Sequence, residues 1–229
     1  MSTVAERFFR DSDYWRAWSR VPDVTADIPY ALAALWPTDR SVLDVPCGRG
    51  RLLKAVRAVL PEAELYGVDI NEGMVEQVRR ECPGARVGTG SVYHLALPDR
   101  HVDTVLCHES FMHFEEPDRA LAELARVARH RLYLSVTTRR QLNTLLRWLG
   151  FLPASDVPHW TYNYEEILPR LPTAFRWTAR GAFLVGQKAI GLDHARHARL
   201  HRLLGRRLPQ RLLRRFGQTI FLYGERTWP

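Results

Sequence analysis

Two acids and two glycines carry the first chemical signal. In Val42-Leu43-Asp44-Val45-Pro46-Cys47-Gly48-Arg49-Gly50-Arg51-Leu52-Leu53 an apolar run ends in Asp44, and a small-residue loop leads into a helical pattern. Glycine at 48 and 50 lets the backbone approach a ligand closely and take conformations that a side chain forbids. The helix start behind the loop offers unpaired N–H groups and a positive dipole end, suited to polar or anionic groups. Nineteen residues past Gly50, Leu65-Tyr66-Gly67-Val68-Asp69 ends in a second carboxylate. An ionised carboxylate at that place can accept from both vicinal hydroxyls of a ribose. Each feature also has a plainer reading: a β–turn–α connection that needs glycine, and an acid favouring the dipole of the helix beginning after Asn71.

Other groups could move protons. His108, Glu109 and His113 cluster in the sequence, and a hydroxyl or phenol acceptor calls for such a base. His159-Trp160-Thr161-Tyr162-Asn163-Tyr164-Glu165 gathers polar aromatic groups, and reads equally as a helix entrance with tyrosine packed on a sheet edge. His194, His197 and His201 fall at i, i+3, i+7, but Arg196, Arg199 and Arg202 would repel a cation, so no metal site is expected. Cys47 and Cys107 read as small core-edge residues rather than nucleophiles.

The elements that would position these groups alternate. Ser41–Val45, Ala63–Asp69, Ala85–Gly88, Val102–Cys107 and Arg131–Val136 read as strands, with two more near Trp177–Val185 and Thr219–Gly224. Between them Leu52, Leu53, Val56 and Leu60 recur at helical spacing, as do Met74, Val75 and Val78. Leu121, Leu124, Ala125 and Ala128 form a third stripe, opened by Pro117 at a first-turn position. Phe8, Trp15 and Trp18, then Ile28 to Trp36, give the N-terminal segment its own helical pattern. Alternation of this kind implies an α/β fold: a three-layer, Rossmann-like, seven-stranded, mostly parallel sheet with helices on both faces. The stretch from Gly186 to Gly217 reads as a helical excursion between the last two strands. Ligands of such sheets bind beyond the carboxyl ends of the strands, where the order reverses.

These motifs, in this order, resemble the class I (Rossmann-like) S-adenosylmethionine-dependent methyltransferases, in particular the broad group acting on small molecules. Asp44 to Gly50 resembles that family's first glycine loop, and Leu65 to Ile70 with Met74 behind it resembles its ribose strand and helix. Leu95-Ala96-Leu97-Pro98-Asp99-Arg100-His101-Val102-Asp103 resembles the lead into strand four. Phe111-Met112-His113-Phe114, Glu116-Pro117 and Ala120 to Val127 resemble the segment and helix after that strand. The resemblance implies a cofactor cradle for S-adenosylmethionine, with S-adenosylhomocysteine as product. In it Asp44, Pro46, Cys47, Gly48 and Gly50 form the loop at the amino-acid part, and Asp69 takes the ribose hydroxyls. Ile70 and Met74 face the adenine, Ser91 and Val92 hold its edge, Cys107 and His108 meet the cofactor from strand four, and Tyr14 closes over the methionyl end. His108, His113 and His159 are the implied catalytic candidates, His113 also as a loop-fixing residue, and the segment around His159 falls where the family has its substrate cap. Three positions depart from the pattern: Pro46 stands where glycine is usual, Ser91 replaces a frequent acid, and Arg129-His130 replaces a Gly-Gly turn. A nicotinamide-binding fingerprint would need glycine where Leu53 stands.

The implied reaction is in-line displacement at a methyl group, most simply O-methylation, which needs alignment, exclusion of water and removal of a proton. An RNA or tRNA methyltransferase and a non-catalytic cofactor-binding scaffold are the alternatives. The chain of 229 residues has 46% hydrophobic residues, with seven Trp, eight Tyr and nine Phe, which excludes low-complexity disorder. No apolar run approaches a membrane span, no secretory signal is visible, and three scattered cysteines fit a reducing, cytoplasmic compartment. A single domain is expected: an N-terminal helical cap (1–40), a cofactor core (41–137), and a substrate cap with the C-terminal strands (138–229). The net charge of +8 arises wholly from residues 194–229, which hold nine Arg and one Glu. Its stretch from His194 to Arg215 reads as a solvated helix face built on Leu208, Leu212 and Phe216, or as a site for an anionic substrate or an acidic lipid surface. Nucleic acid fits less well, because aromatic side chains are sparse there.

Overall fold

The computed structural model describes residues 2–11, 27–139, 157–182 and 209–227. Seven strands form one sheet: β1 (Ser41–Asp44), β2 (Glu64–Asp69), β3 (Arg86–Thr89), β4 (Val102–Cys107), β5 (Ala128–Thr137), β6 (Phe175–Ala182) and β7 (Thr219–Arg226). Their order is β3-β2-β1-β4-β5-β7-β6. Leu43 of β1 lies opposite Tyr66 on one side and Val105 on the other, both in parallel register. The order therefore reverses between β1 and β4, which opens a crevice beyond their carboxyl ends. Strand β7 runs antiparallel to both β5 and β6, with Tyr133 opposite Tyr223 and Trp177 opposite Gly224. Glycine is required at 224, because a Cβ there would sit 2.9 Å from the Trp177 ring.

Alternating side chains divide the core into two layers. Leu43, Val105, Leu132, Leu134, Ile220 and Leu222 pack on one face against Ala120, Leu121 and Leu124 of the helix Pro117–Val127. Val42, Leu65, Leu106, Tyr133 and Phe221 pack on the other. That second face is covered by Ile28 and Ala31 of the helix Ile28–Leu32, by Leu52, Leu53 and Val56 of Arg51–Val59, and by Val78 of Glu72–Glu81. All six residues of β4 are buried, as expected for a strand enclosed on both faces. In chain order the helices are α1 (Val4–Asp11), α2 (Ile28–Leu32), α3 (Arg51–Val59), α4 (Glu72–Glu81), α5 (Pro117–Val127), α6 (Tyr164–Ile167) and α7 (Gln210–Phe216) among the described residues.

Several boundaries differ from the sequence expectation. Ala128 is not part of the helical stripe: it caps the helix Pro117–Val127 by donating its amide to the Leu124 carbonyl and opens β5, and Arg129-His130 is strand rather than turn. Arg129 fixes that start by donating to the Arg100 carbonyl at 3.0 Å and to Asp103 at 3.1 Å. Strand β6 begins two residues earlier than expected, and residues 183–185 lie outside the described set. In α7 the buried residue is Leu213, 1% exposed, while Leu212 is 44% exposed. The helix starts after Pro209 and presses on Gly181, where a Cβ would sit 2.2 Å from the Leu213 carbonyl carbon; this sets which side faces the sheet. Trp15, Trp18, Leu208 and most of the excursion before α7, including His194, His197 and His201, lie outside the described residues.

Candidate functional site

The loop between β1 and α3 is held from below and left open above. Val45 donates its amide to the Leu106 carbonyl at 3.0 Å and Cys47 to that of Val68 at 2.9 Å, which ties the loop across the crevice to β4 and β2. The Val45–Pro46 bond is cis. Gly48 and Gly50 have φ of 48° and 75°, the left-handed region where side chains are strained. Their surroundings differ. A Cβ on Gly50 would lie 3.1 Å from both γ-carbons of Val78, whereas one on Gly48 would meet no atom of the described residues within 4 Å. Gly50 is there for close packing of α3 on α4, and Gly48 faces open space.

Asp69, at the end of β2, braces this loop. One carboxylate oxygen accepts from the Gly48 amide at 2.8 Å and the other from the Asn71 amide at 2.9 Å. Burial raises its pKa above the usual range, although these backbone donors oppose the shift. The Ile70 amide is directed at the same carboxylate, so three backbone donors hold it and about one of its four lone-pair sites is left for a ligand hydroxyl. Asn71 caps α4 by accepting from the Met74 amide at 3.1 Å. Asp44 is buried beneath the loop and its pKa is raised well above the usual range by desolvation. Cys47 and Cys107 are buried thiols whose pKa values burial also raises, so neither is a thiolate at neutral pH.

A charged cluster lies at the end of β4. His108 is buried, with Nδ1 3.0 Å from the Tyr133 hydroxyl and Nε2 3.0 Å from Asp27. A carboxylate only accepts, so Nε2 carries the proton. Asp27 also receives Arg51 at 3.2 and 3.3 Å, and Arg51 reaches Glu109 at 2.9 Å. Burial disfavours ionised Asp27, but His108 and Arg51 outweigh it and hold its pKa below the usual range. Glu109 goes the other way: desolvation and the Asp27 charge, working against His108, the bonded Arg51 and the solvent that reaches part of its side chain, push it up to about 7. Its backbone is held at φ 52° by donation of its amide to Ser135 Oγ at 2.5 Å, and its side chain is 44% exposed at the mouth of the crevice. Donor atoms of Asp27, His108 and Glu109 lie within 4.8 Å of one another, a metal-like spacing. The Arg51 guanidinium bonds both carboxylates, so the set already neutralises a fixed cation.

Helix α1 lies across the site. Glu6 is hydrogen-bonded to the Ser91 hydroxyl, and the Phe9 carbonyl accepts from Asn71 at 2.8 Å. Glu115 accepts from the Val4 and Ala5 amides at 2.9 and 3.3 Å, and the Phe9 ring stands 4.7 Å from that of His113. His113 in turn bonds the Pro158 carbonyl at 2.8 Å, and the Trp160 amide donates to the Met112 carbonyl at 2.6 Å. His113 thus pins the N-terminal helix and the 157–163 segment to the loop after β4, and burial lowers its pKa.

Asp44, Pro46, Cys47, Gly48, Gly50 and Asp69 therefore converge with Cys107 and His108 at the carboxyl ends of β1, β2 and β4. Ile70 precedes the Asn71 cap of α4 and Met74 lies in its first turn, and Ser91 with Val92 follows β3 after Gly90. His108 has both ring nitrogens engaged within the protein. His159 is exposed, with Nδ1 3.0 Å from the Val157 carbonyl, a local contact. Its neighbours form a helix entrance: Glu166 accepts from the Asn163 amide at 2.8 Å, and Tyr162 packs against Phe111 with ring centres 5.8 Å apart. Tyr14 lies outside the described residues. Sequence reading passed over Asp27, Arg51, Tyr133 and Glu6. Thr3-x-x-Glu6 is a readable helix-capping pattern, whereas the Asp27–His108–Tyr133 chain spans distant segments and leaves no local trace.

Comparison with known proteins gives this geometry a context. Residues 43–135 match the family described as Methyltransferase domain. An uncharacterized methyltransferase of Schizosaccharomyces pombe is 32% identical over 124 residues, 49% of this chain and 43% of that protein. A malonyl-[acyl-carrier protein] O-methyltransferase of Methylococcus capsulatus is 35% identical over 98 residues, 42% of this chain and 36% of that one. The chain thus spans under half the length of both. The solved magnesium protoporphyrin IX methyltransferase of Synechocystis PCC 6803, with bound S-adenosylhomocysteine, superposes with a TM-score of 0.66 at 20% identity, over 98% of this chain and 99% of that one. The shared fold is the class I, Rossmann-like methyltransferase fold.

Proposed function

We propose that this chain, whose residues 43–135 match the methyltransferase domain family, is an S-adenosylmethionine-dependent methyltransferase of a small-molecule acceptor, forming an O-methyl product. The observation that carries the reading is the cradle itself. Among the described residues Gly48 faces open space in a left-handed conformation that no packing demands, directly beside a buried Asp69 that can still accept from a ligand. The relatives' names, a malonyl-carrier O-methyltransferase and a porphyrin methyltransferase among them, support small acceptors. The unit is read as one domain: residues 1–40 cap the cofactor, 41–137 hold it, and 138–229 supply the acceptor's surroundings and the last strands.

The residues present fit the cofactor. Bound there, it supplies a methyl group on a sulfonium, already activated for displacement. Gly48 and Gly50 let the loop backbone lie against the amino-acid part, and Asp69 accepts from the ribose hydroxyls while holding the loop in shape. Helix α1 and the 157–163 segment cover the crevice and exclude water, which strengthens every interaction inside. His108 and Asp27 form the floor, with His108 as a positioning residue rather than a proton acceptor, since both its nitrogens are occupied. Glu109 is the exposed group able to accept a proton near neutral pH, held at the mouth in a strained conformation of the kind that collects at functional sites.

Incubation with methyl-labelled S-adenosylmethionine and a panel of hydroxylated and carboxylated metabolites, with total RNA as a separate arm, tests the reading. Label in an O-methyl product of a small acceptor is the expected result. Label in RNA that falls steeply with salt would replace it with the nucleic-acid alternative. Cofactor binding without transfer to any arm would favour the scaffold.

A further inference from the structure

We infer that Glu6, on the N-terminal helix α1, is the acceptor for the 6-amino group of the cofactor's adenine, working beside the Val92 amide at the edge that the family resemblance already implies; this rests on the cofactor reading above. The outer edge of adenine presents a donor, the 6-amino group, beside an acceptor, N1. A site that reads it needs one acceptor and one donor side by side.

The loop after β3 has few groups left to do this. The Gly90 amide goes to the Asp69 carbonyl at 2.9 Å, and His94 to the Ser91 carbonyl at 3.1 Å. The Ser91 hydroxyl accepts from the Tyr93 amide at 3.0 Å and gives its single proton to Glu6. Ser91 is therefore a support, and the carboxylate it holds is the acceptor actually presented. The Val92 amide beside it has no acceptor among the described residues. A hydroxyl stands at 91 where the resemblance leads one to expect an acid, and the structure brings a carboxylate to the same spot from another element.

Glu6 is equipped for the role. Oε2 accepts from the Thr3 amide at 3.0 Å and from the Ser2 hydroxyl at 3.1 Å, while Oε1 bonds only Ser91 among the described residues and keeps a lone pair. Burial works against its charge, but the Ser91, Thr3 and Ser2 hydrogen bonds and the Arg10 charge more than compensate, so it is ionised at neutral pH. The helix carrying it is docked independently through Glu115, Asn71 and His113. Its position does not depend on the Ser91 contact alone.

A purely structural role as helix cap and tether makes a different forecast, and base discrimination separates the two. Calorimetric titration with S-adenosylhomocysteine and with S-inosylhomocysteine, whose 6-oxo group and N1–H invert the pattern, is made on the native chain, on Glu6→Gln, and on Glu6→Ala/Ser91→Asp. The native chain is expected to prefer the adenine ligand by at least about tenfold. Glu6→Gln, whose amide can offer either a donor or an acceptor, is expected to narrow that preference to about threefold or less. The double variant, with a carboxylate returned to the loop, is expected to recover it. A native chain that does not discriminate, or a Glu6→Gln variant that discriminates as well as native, would overturn the assignment. Failure of the native chain to bind S-adenosylhomocysteine at all is a distinct result, and would remove the cofactor reading on which the assignment stands.

Discussion

Glu109 and Asp27 are carboxylates a few ångströms apart, driven in opposite directions by the same neighbours. Asp27 is enclosed with His108 and Arg51 and stays ionised, and its charge then helps to raise Glu109 to about 7. A carboxyl whose folded pKa exceeds its unfolded value contributes stability that is complete below the unfolded pKa, near 4.5, and lost as pH rises through about 7. Denaturation midpoints of the native chain are therefore expected to fall between about pH 5 and 8 relative to those of Glu109→Gln, which lacks the titrating proton. Parallel curves for the two proteins would show that Glu109 titrates normally and remove it as the proton acceptor. None of this was visible in sequence, where Glu109 stood as one of three neighbouring candidates. Its role depends on Asp27, eighty-two residues away, and on the positive φ at the end of β4.

At the scale of elements, the strand–loop–helix unit from Ser41 to Val59 was legible almost residue by residue, because each part has a local cause. The glycines meet the need for positive φ, the apolar run is a buried strand, and Leu52, Leu53 and Val56 fall at helical spacing. What sequence could not separate was why each glycine is needed. Gly50→Ala is expected to lower stability by about 1–3 kcal/mol, from left-handed strain together with the 3.1 Å approach to Val78. Gly48→Ala carries the strain alone, about 1 kcal/mol, but its methyl group projects into the ligand space. It is expected to lose S-adenosylhomocysteine affinity far more than Gly50→Ala does. Thermal melts paired with ligand titrations read both effects, and equal affinities for the two variants would refute the division. The orientation of α7 was misjudged because its cause is not local. Leu208, Leu212 and Phe216 have the right spacing, but Pro209 and the close contact at Gly181 choose Leu213 as the buried side chain. Periodicity within a helix cannot contain a constraint from a strand some thirty residues away.

Over the whole molecule, a sheet ordered β3-β2-β1-β4-β5-β7-β6 opens one crevice, and every implied cofactor residue among those described lies at or beside it. The sheet itself was legible because strand and helix alternate with ordinary loop lengths. An N-terminal cap over residues 1–40 was itself expected from the sequence; what was not legible is how α1 docks, because its contacts reach residues beside β2, β3 and β4 that lie 62 to 111 positions away. No helix among the described residues is long and apolar enough to cross a membrane. The central claim is that the crevice holds S-adenosylmethionine or its product. The most direct measurement is thermal unfolding with and without S-adenosylhomocysteine, on the native chain and on Asp69→Ala. At about a hundred times the dissociation constant, the ligand adds roughly 2.7 kcal/mol, on the order of 5–10 °C for a chain of this size. A rise of that size in the native protein, reduced in Asp69→Ala, is the expected result. No rise at millimolar ligand in a folded, monodisperse native sample would contradict it.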